Sequence, residues 1–333
     1  MKGIILSGGT GSRLYPLTTT VNKQLLPVYD KPMIYYPLST MISCGIKDFC
    51  IISSPEYIPM YEKMFGDGNH LGLNIVYEIQ YKPNGIAESF IIAEDFIGND
   101  NVSLILGDNI FHGIPRIKTD FKGSLVFAYE VTNPWDYAVV QFEGEKIKQI
   151  VEKPKEFVSD LAVIGIYYFK DVAVLKNELQ LVLDNNIIHG GEYQINDGIK
   201  QMMAKGMKFV PGEVAEWMDC GNKDVTVETN SRMLGFLHND GEHLVDYGVK
   251  SENSTIISPC YIGEDVVLIN ATVGPNVSLG KGCHVINSTI KNSLVQTHSH
   301  IKNANLDNAM IGNHASFDGN FNSISIGDYS VLE

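Results

Sequence analysis

The sequence predicts an α/β protein with a doubly wound, mostly parallel sheet, followed by a small left-handed parallel β-helix. In the first half, short apolar runs alternate with helical patterns, which is typical of a parallel sheet covered by helices. From Ile262 onward, apolar residues recur at steps of five or six, with Asn and Gly between them. A period of about six residues is typical of a parallel β-helix, in which each short strand turns one side chain inward.

Four apolar runs in the first half predict strands that are buried on both faces, and two helical patterns lie among them. Gly45 closes the first helical pattern. The alternation indicates a Rossmann-like sheet, in which ligands bind beyond the carboxyl ends of the strands. The predicted strands are KGIIL (2–6), DFCIISS (48–54), NIVYEIQ (74–80) and VSLILGD (102–108), and the predicted helices are PMIYYPLSTMIS (32–43) and GIAESFIIAEDF (85–96).

After residue 120 the pattern changes and predicts a mixed edge added to the parallel core. A hairpin is expected in residues 137–154, with its turn near Glu143–Glu145. The other predicted elements are the strands SLVFAYEV (124–131), AVIGIYYF (162–169) and MKFVPG (207–212), and the helix GEYQINDGIKQMMAKG (191–206), which Gly206 ends.

The last part of the chain carries the six-residue repeat. Asn and Gly suit its corners because both residues tolerate a positive φ. An irregular, Asn-rich sheet edge is the alternative, but ten successive steps favour the β-helix. The predicted organisation is an α/β domain over 1–225, a helical linker over 226–253 and the β-helix over 254–333. The predicted inward residues are Leu268, Val273, Leu279, Val285, Ile290, Val295, Ile301, Leu306, Ile311 and Phe317.

Composition narrows the function classes. The chain has 333 residues and a formal charge of −14, from 39 acidic and 25 basic residues, which disfavours nucleic-acid binding. No apolar run approaches the roughly 20 residues of a membrane helix, and the N-terminal MKGIIL is too short for a signal peptide. Five cysteines without a C-x-x-C pair favour reduced thiols. We therefore expect a cytoplasmic protein.

A glycine-rich loop, LSGGTGSRL (6–14), follows the first predicted strand. It lacks the third glycine of the dinucleotide fingerprint and the Lys of the P-loop, so neither motif explains it. Glycines let the backbone N–H groups approach phosphate oxygens, and Arg13 and Lys23 would add positive charge. The alternative is a tight turn followed by a solvated Arg. The loop alone predicts a phosphate ligand.

Acidic residues supply a candidate metal site. Asp108 follows the strand VSLILG and Asp219 lies in EWMDCGN, and Mg²⁺ is usually held by one or two carboxylates together with phosphate oxygens. Either residue alone is more often a turn or cap residue. The neighbouring Glu152 and Lys153 are either solvated charges or ligands for sugar hydroxyls and phosphate.

Five longer motifs in the first 225 residues resemble those of a known family. GIILSGGTGSRLYPLT, NKQLLPVYDKPMIYYPLSTM, GIKDFCIIS, FGDG and LGDNIFHG closely resemble the bacterial glucose-1-phosphate thymidylyltransferases, within the wider sugar-phosphate nucleotidyltransferase family. The resemblance covers about residues 1–225. It implies an enzyme that joins a sugar 1-phosphate to a nucleoside triphosphate and releases pyrophosphate, with dTTP and glucose 1-phosphate as the expected pair.

The resemblance also implies roles for individual residues. Those expected to carry catalysis are Arg13, Lys23 and Lys153. Those expected to bind the nucleotide are Leu6, Gly8, Gly9, Gly11, Ser12, Arg13, Gln24, Gln80, Pro83 and Gly85. Those expected to bind the sugar are Asn109, Ala138, Glu152, Lys153, Val163 and Tyr167. Asp108 and Asp219 are expected to hold Mg²⁺.

At four positions the sequence departs from the family pattern, so the resemblance does not decide which sugar phosphate is the substrate. Ala138 stands where the family has a Gly, and Ile164, Gln194 and Asn196 also differ from it. The alternatives are an enzyme that uses UTP or an amino-sugar phosphate, and a non-catalytic subunit that binds sugar nucleotides. The tail is expected to serve assembly of a homo-oligomer. Its histidines, at 284, 298, 300 and 314, leave an acyltransferase activity as the alternative.

Overall fold

The computed structural model describes residues 1–9, 11–113, 115, 123–144 and 146–320. The chain forms two compact units, each built from two stretches of sequence. We call them the sheet unit, Met1–Gly9 with Ile34–Trp217, and the β-helix unit, Thr10–Met33 with Met218–Glu333. The domain limits predicted at residues 225 and 253 stay a prediction.

The sheet unit is built on a nine-stranded mixed sheet whose N-terminal strands are parallel. Its first four strands are β1 (Lys2–Leu6), β2 (Asp48–Ser53), β3 (Asn74–Ile79) and β4 (Val102–Leu106). Strand β1 pairs with β2 on one side and with β4 on the other, and β3 lies beyond β2. Nearly all residues of β1, β2 and β4 are buried, which confirms the predicted parallel core. Strand β3 differs from the expectation, because Ile75 is its one buried residue and the others are exposed or partly exposed.

Strand β5 (Asn109–His112) follows, and the predicted mixed edge of the sheet is formed by β6 (Ser124–Glu130), β7 (Ala138–Glu143), β8 (Lys146–Glu152), β9 (Leu161–Phe169) and β10 (Phe209–Gly212). Strand β9 pairs antiparallel with β4, β6 and β7, and β6 pairs in parallel with β10. Strands β7 and β8 form the predicted antiparallel hairpin, and Glu145 of its turn lies outside the described residues. Strand β5 and the last strand, β11 (Glu216–Asp219), are not part of the nine-stranded sheet.

The predicted helices change at their ends, and the one expected over 85–96 is divided at Ala93 into two helices, Ile86–Ile92 and Glu94–Ile97. The helix expected from residue 32 begins at Tyr35, because Lys31–Pro32 pairs with Pro27–Val28 in a short hairpin. Gly206, with φ +84°, follows the last turn of its helix as expected. No helix of the described residues is long and apolar enough to cross a membrane. The α-helices are α1 (Tyr35–Ser43), α2 (Ile58–Phe65), α3 (Ile86–Ile92), α4 (Glu94–Ile97), α5 (Val172–Asp184), α6 (Ile195–Ala204) and α7 (Lys223–Asn239), and the 3₁₀ turns are Ser12–Leu14, Lys23–Leu25, Asn69–Leu71 and Pro134–Asp136.

In the β-helix unit, α7 precedes three stacked sheets of short parallel strands, which form the left-handed β-helix that the repeat predicts. The ten predicted inward residues all belong to its apolar core, and those of the first coils are fully buried. The three sheets contain Lys250–Glu252, Val267–Ile269, His284–Ile286, His300–Lys302 and Ser316–Asp318; then Thr255–Ile256, Thr272–Val273, Thr289–Lys291 and Asn305–Asp307; then Cys260–Ile262, Val277–Leu279, Ser293–Val295 and Met310–Ile311.

A ladder of asparagines stabilises one corner of this β-helix. Asn253, Asn270, Asn287 and Asn303 stand above one another, each with a φ between +46° and +50°. Each donates its Nδ2 to the next residue of the ladder, at 2.8, 3.1 and 3.3 Å, and Asn303 donates to Asp318 Oδ1 at 2.8 Å. Asn tolerates the left-handed conformation and satisfies its own amide there, which explains the Asn-rich sequence.

Two helical glycines make a matched test of the core. A Cβ at Gly198 in α6 would lie 2.4 Å from Leu179 Cδ2, whereas a Cβ at Gly235 in α7 would meet no atom within 4 Å. We expect Gly198→Ala to lower the free energy of unfolding by about 1–3 kcal/mol through overpacking. Gly235→Ala should raise it by about 0.5–1 kcal/mol because Ala is the better helix former. Urea unfolding followed by circular dichroism measures both, and shifts of the same sign would contradict the packing at Gly198.

Candidate active site

The first half of the glycine loop runs close to Gln80 in the sheet unit. After β1, the Ser7 amide donates to the carbonyl of Ile52 at 2.8 Å, so the chain leaves the sheet along β2. A Cβ at Gly8 would lie 3.0 Å from Gln80 Oε1, and Gly9 has a φ of +93°. The conformation therefore favours glycine at Gly9, and at Gly8 a side chain would be in tight contact with the amide oxygen.

Gln80 is buried and its amide has a single orientation. Its Nε2 donates to Glu88 Oε2 at 2.8 Å and to the carbonyl of Gly85 at 3.2 Å. Asn84 Nδ2 donates to the other oxygen of Glu88, at 2.8 Å. Because both partners of the amide nitrogen are acceptors, its oxygen is directed toward Gly8. The structure thus brings together Gly8, Gln80 and Gly85, three residues assigned to the nucleotide.

Gly85 allows this turn to pack against the segment before α6. It has a φ of +108°, and a Cβ there would lie 2.5 Å from the carbonyl oxygen of Tyr193. The Tyr193 amide donates to the carbonyl of Asn84 at 2.6 Å, and the Ala87 amide donates to the carbonyl of Tyr193. The Gly85 turn is therefore held from two sides. Pro83, in the same turn, is exposed.

Asp108 and Asn109 lie just beyond the carboxyl end of β4, as the sheet topology predicts. Asp108 is partly exposed, and its Oδ1 accepts from Asn109 Nδ2 at 2.9 Å. Asn109 is buried, and its Oδ1 accepts from the indole N–H of Trp217 at 2.6 Å. A Cβ at Gly165 in β9 would lie 3.0 Å from the same oxygen. Trp217 therefore orients Asn109, a role that the sequence analysis missed although Trp217 stands two residues before Asp219.

Glu152, at the end of β8, faces the residues assigned to the sugar. Asn196 of α6 donates its Nδ2 to Glu152 Oε2 at 3.2 Å. Tyr167 is buried nearby, and its pKa is raised by burial and by the charge of Glu152. The buried Oδ1 of Asn196 has no hydrogen-bond partner among the described residues. Asn196 was noted only as a departure from the family pattern, and its contact with Glu152 needed the tertiary structure.

Lys153 and Ala138 are placed by the β7–β8 hairpin. Ala138 is the register partner of Glu152, and the Lys153 amide donates to the carbonyl of Tyr137 at 3.0 Å. Lys153 has a φ of +40°, which is uncommon for a residue with a side chain. Such conformations persist where the surroundings hold them, and they are concentrated at functional sites. Val163, in β9, is buried.

In the β-helix unit, the second half of the glycine loop folds against the turn that contains Lys23. Gly11 has a φ of +60°, and a Cβ there would lie 3.1 Å from Thr18 Cγ2 and 3.3 Å from Lys23 Cβ. Thr18 donates its hydroxyl to the carbonyl of Gly11 at 2.7 Å. Ser12 begins a 3₁₀ turn, and Asn22 caps the Lys23–Leu25 turn by accepting from the amide of Gln24 at 3.0 Å. Small and polar residues therefore hold Lys23 in place.

Arg13 and Asp219 meet around Gly221. A Cβ at Gly221 would lie 3.1 Å from Asp219 Oδ2 and 3.6 Å from Arg13 Nη1. Asp219 is partly exposed and Arg13 is exposed. The sequence analysis gave Gly221 no role. The feature that could have indicated one is its position two residues after Asp219, a candidate metal ligand. The structure thus places a cation and a carboxylate near the same glycine, which fits binding of a phosphate with its metal ion.

The predicted site residues divide between the two units. The sheet unit contains Leu6, Gly8, Gly9, Gln80, Pro83, Gly85, Asp108, Asn109, Ala138, Glu152, Lys153, Val163 and Tyr167, and the β-helix unit contains Gly11, Ser12, Arg13, Lys23, Gln24 and Asp219. Within the described residues, no three His, Cys, Asp or Glu side chains form a metal cluster. The ligand and metal roles of these residues stay predictions.

Comparison with known proteins gives one consistent family. Residues 2–234 match the family described as nucleotidyl transferase. A Neisseria meningitidis protein named glucose-1-phosphate thymidylyltransferase is 44% identical over 240 residues, which cover 69% of this chain and 82% of that protein. A protein of the same name from Mycolicibacterium smegmatis is 41% identical, covering 69% and 81%. The crystal structure of a candidate glucose-1-phosphate thymidylyltransferase from Bacillus anthracis, in complex with a sucrose, has a TM-score of 0.63 at 35% identity, covering 70% of this chain and 94% of that one.

The turn at Gly85 can be tested against a glycine in open space. Gly98 also has a positive φ, +57°, but a Cβ there would meet no atom within 4 Å. We expect Gly98→Ala to lower the free energy of unfolding by about 1–2 kcal/mol from its conformation alone. Gly85→Ala should lower it by about 1–3 kcal/mol more, because the methyl group also displaces the Tyr193 carbonyl. Equal losses in urea unfolding would show that Tyr193 is not packed against Gly85.

Proposed function

The chain belongs to the nucleotidyl transferase family, and on that premise we propose that it makes dTDP-glucose from dTTP and glucose 1-phosphate, releasing pyrophosphate. The observation that carries the proposal is the oriented amide of Gln80 beside the side-chain-free Gly8. The amide oxygen is an acceptor suited to the N3–H of thymine or uracil, whereas cytosine has no N–H there. The glycine loop leaves room for the nucleotide next to it.

Both substrates are anions, and the proposed catalysis rests on overcoming their repulsion. An oxygen of the sugar phosphate attacks the α-phosphorus in line, a new P–O bond forms, and the bond to pyrophosphate breaks. The sugar-phosphate oxygen is already ionised near neutral pH, so no general base is required. Arg13, Lys23 and Lys153 bind and orient the phosphates and neutralise the charge that develops on them.

The sugar is proposed to bind at Glu152, with Asn109, Val163 and Tyr167. The Glu152 carboxylate accepts hydrogen bonds from sugar hydroxyls, and Asn196 orients it. Asn109 presents an amide whose oxygen is held by Trp217. The methyl group of Ala138, the register partner of Glu152, narrows the space next to that carboxylate compared with the glycine of the family pattern.

Enzymes of this family use a divalent metal, and we propose Mg²⁺ held by Asp108 and Asp219. Partly exposed carboxylates fit Mg²⁺, which prefers oxygen ligands and takes several of them from substrate phosphates and water. The ion, when bound, neutralises phosphate charge and stabilises the leaving pyrophosphate. The proposed assembly is a homo-oligomer.

Pyrophosphate release over a set of substrate pairs tests the activity. With dTTP or UTP, each paired with glucose 1-phosphate or N-acetylglucosamine 1-phosphate, we expect the fastest release from dTTP and glucose 1-phosphate. Faster release with UTP or with the amino sugar would replace that pair while keeping the reaction. An absence of release from every pair would refute the enzyme and favour a binding subunit.

Asp108→Asn tests the metal assignment. The substitution keeps the shape of the side chain but removes its charge, so we expect kcat to fall by about 10²-fold or more and the Mg²⁺ requirement to increase. Chelation by EDTA should abolish wild-type activity, and added Mg²⁺ should restore it. Asp95→Asn, at an exposed position of α4, is the control and should retain full activity. Equal rates for the two variants would remove Asp108 from the metal site.

A further inference from the structure

The segment that carries Arg13 and Lys23 lies in the same compact unit as the β-helix. Its described residues, 11–33, contain only two 3₁₀ turns and a hairpin of two-residue strands. Its internal hydrogen bonds close single turns and one short hairpin rather than an extended helix or sheet, so its position in the unit depends on what it packs against. In this unit, the residues packed against it come from α7 and from the β-helix.

One buried oxygen connects the hairpin of this segment to the β-helix. Asn230 of α7 is fully buried, and its Oδ1 accepts from the amide of Tyr29 at 2.9 Å and from the hydroxyl of Ser278 at 2.9 Å. A backbone N–H can only donate, so the side-chain oxygen must face Tyr29. Tyr29 has a φ of +58°, so this amide is presented by a left-handed turn. Ser278 lies in the strand Val277–Leu279 of the β-helix.

Further contacts support the same arrangement. The ring of Tyr29 packs edge to face against Tyr261 of the β-helix, with centroids 4.9 Å apart. A Cβ at Gly312 would lie 3.6 Å from Leu17 Cδ2. The β-helix coil that contains the strand Met310–Ile311 therefore also lies close to the part of the segment before Lys23. The hairpin that contains Tyr29 is connected to Lys23 by two backbone hydrogen bonds. The Met33 amide donates to the carbonyl of Leu26, and the Leu26 amide donates to the carbonyl of Lys23, both at 3.0 Å.

We infer that Asn230 is a positioning residue for the phosphate-binding segment, and that the β-helix thereby supports nucleotide binding within its own chain. Asn230 does not touch substrate in this role. It fixes the Tyr29 turn against Ser278, and the turn fixes the backbone that carries Lys23. The inference rests on the proposed function, because it takes Arg13 and Lys23 as ligands of the triphosphate. It assigns the tail a role that differs from subunit assembly and from acyl transfer.

Asn230→Leu removes the shared acceptor at similar volume. We expect the KM for dTTP to rise about tenfold, because displaced cations lose contact with the triphosphate, while kcat and the KM for glucose 1-phosphate change less than about threefold. Asn230→Asp retains an acceptor oxygen and should restore most of the nucleotide affinity. Glu228→Gln, on the exposed side of the same helix, is the control and should match the wild type. Isothermal titration of dTTP alone should show the same order of affinities.

The outcomes separate this inference from the proposed function. Wild-type protein that releases no pyrophosphate would refute the proposed function, whereas an active wild type with an unchanged nucleotide KM in Asn230→Leu would refute the inference alone. Sedimentation velocity should give one oligomeric state for all variants; loss of an oligomer together with nucleotide affinity would overturn it in favour of assembly. If Asn230→Leu does not fold, Ser278→Ala decides. It should raise the nucleotide KM about two- to threefold, and no change would contradict the inference.

Discussion

The pairing of β1 with a parallel strand on each side is the interaction on which the candidate site depends. Leu6 is the register partner of both Ile52 and Leu106, so three strands end at one edge of the sheet. The glycine loop and the Asp108–Asn109 pair follow two of those ends, and Ser53 is the last residue of the third strand. Because parallel strands carry their carboxyl ends to the same edge, apolar pairing in the core brings polar groups together beyond it.

Side chains beyond that edge are oriented by neighbours that do not themselves carry the proposed chemistry. Glu88 accepts a hydrogen bond from the amide nitrogen of Gln80, and Trp217 donates one to the amide oxygen of Asn109. Asn196 donates one to Glu152. Each of these hydrogen bonds fixes the orientation of one proposed ligand. Preorganised polar groups of this kind bind charge without reorganising when the substrate arrives.

The β-helix follows a different physical rule from the sheet. Its inward residues pack as single apolar columns, and its corners are stabilised by asparagines in the left-handed conformation that hydrogen-bond along the stack. Asn230 connects this repetitive structure to the Tyr29 turn of the segment that carries Lys23. In the inferred role, the β-helix supports a local segment of the same chain, in addition to any assembly that it mediates.

The amino-acid sequence by itself determined the fold class, the alternation of strands and helices along the first half of the chain, and the six-residue repeat of the β-helix. These features are local. Apolar periodicity decides which faces are buried, and Gly and Asn are the residue types that adopt a positive φ, as Gly9 and Asn270 do. Only the tertiary structure decided that Trp217 holds Asn109, that Asn196 meets Glu152 and that Asn230 joins Tyr29 to Ser278. Those hydrogen bonds connect residues 108, 44, 201 and 48 positions apart. No periodicity extends over such separations, so only the folded backbone determines which polar groups meet.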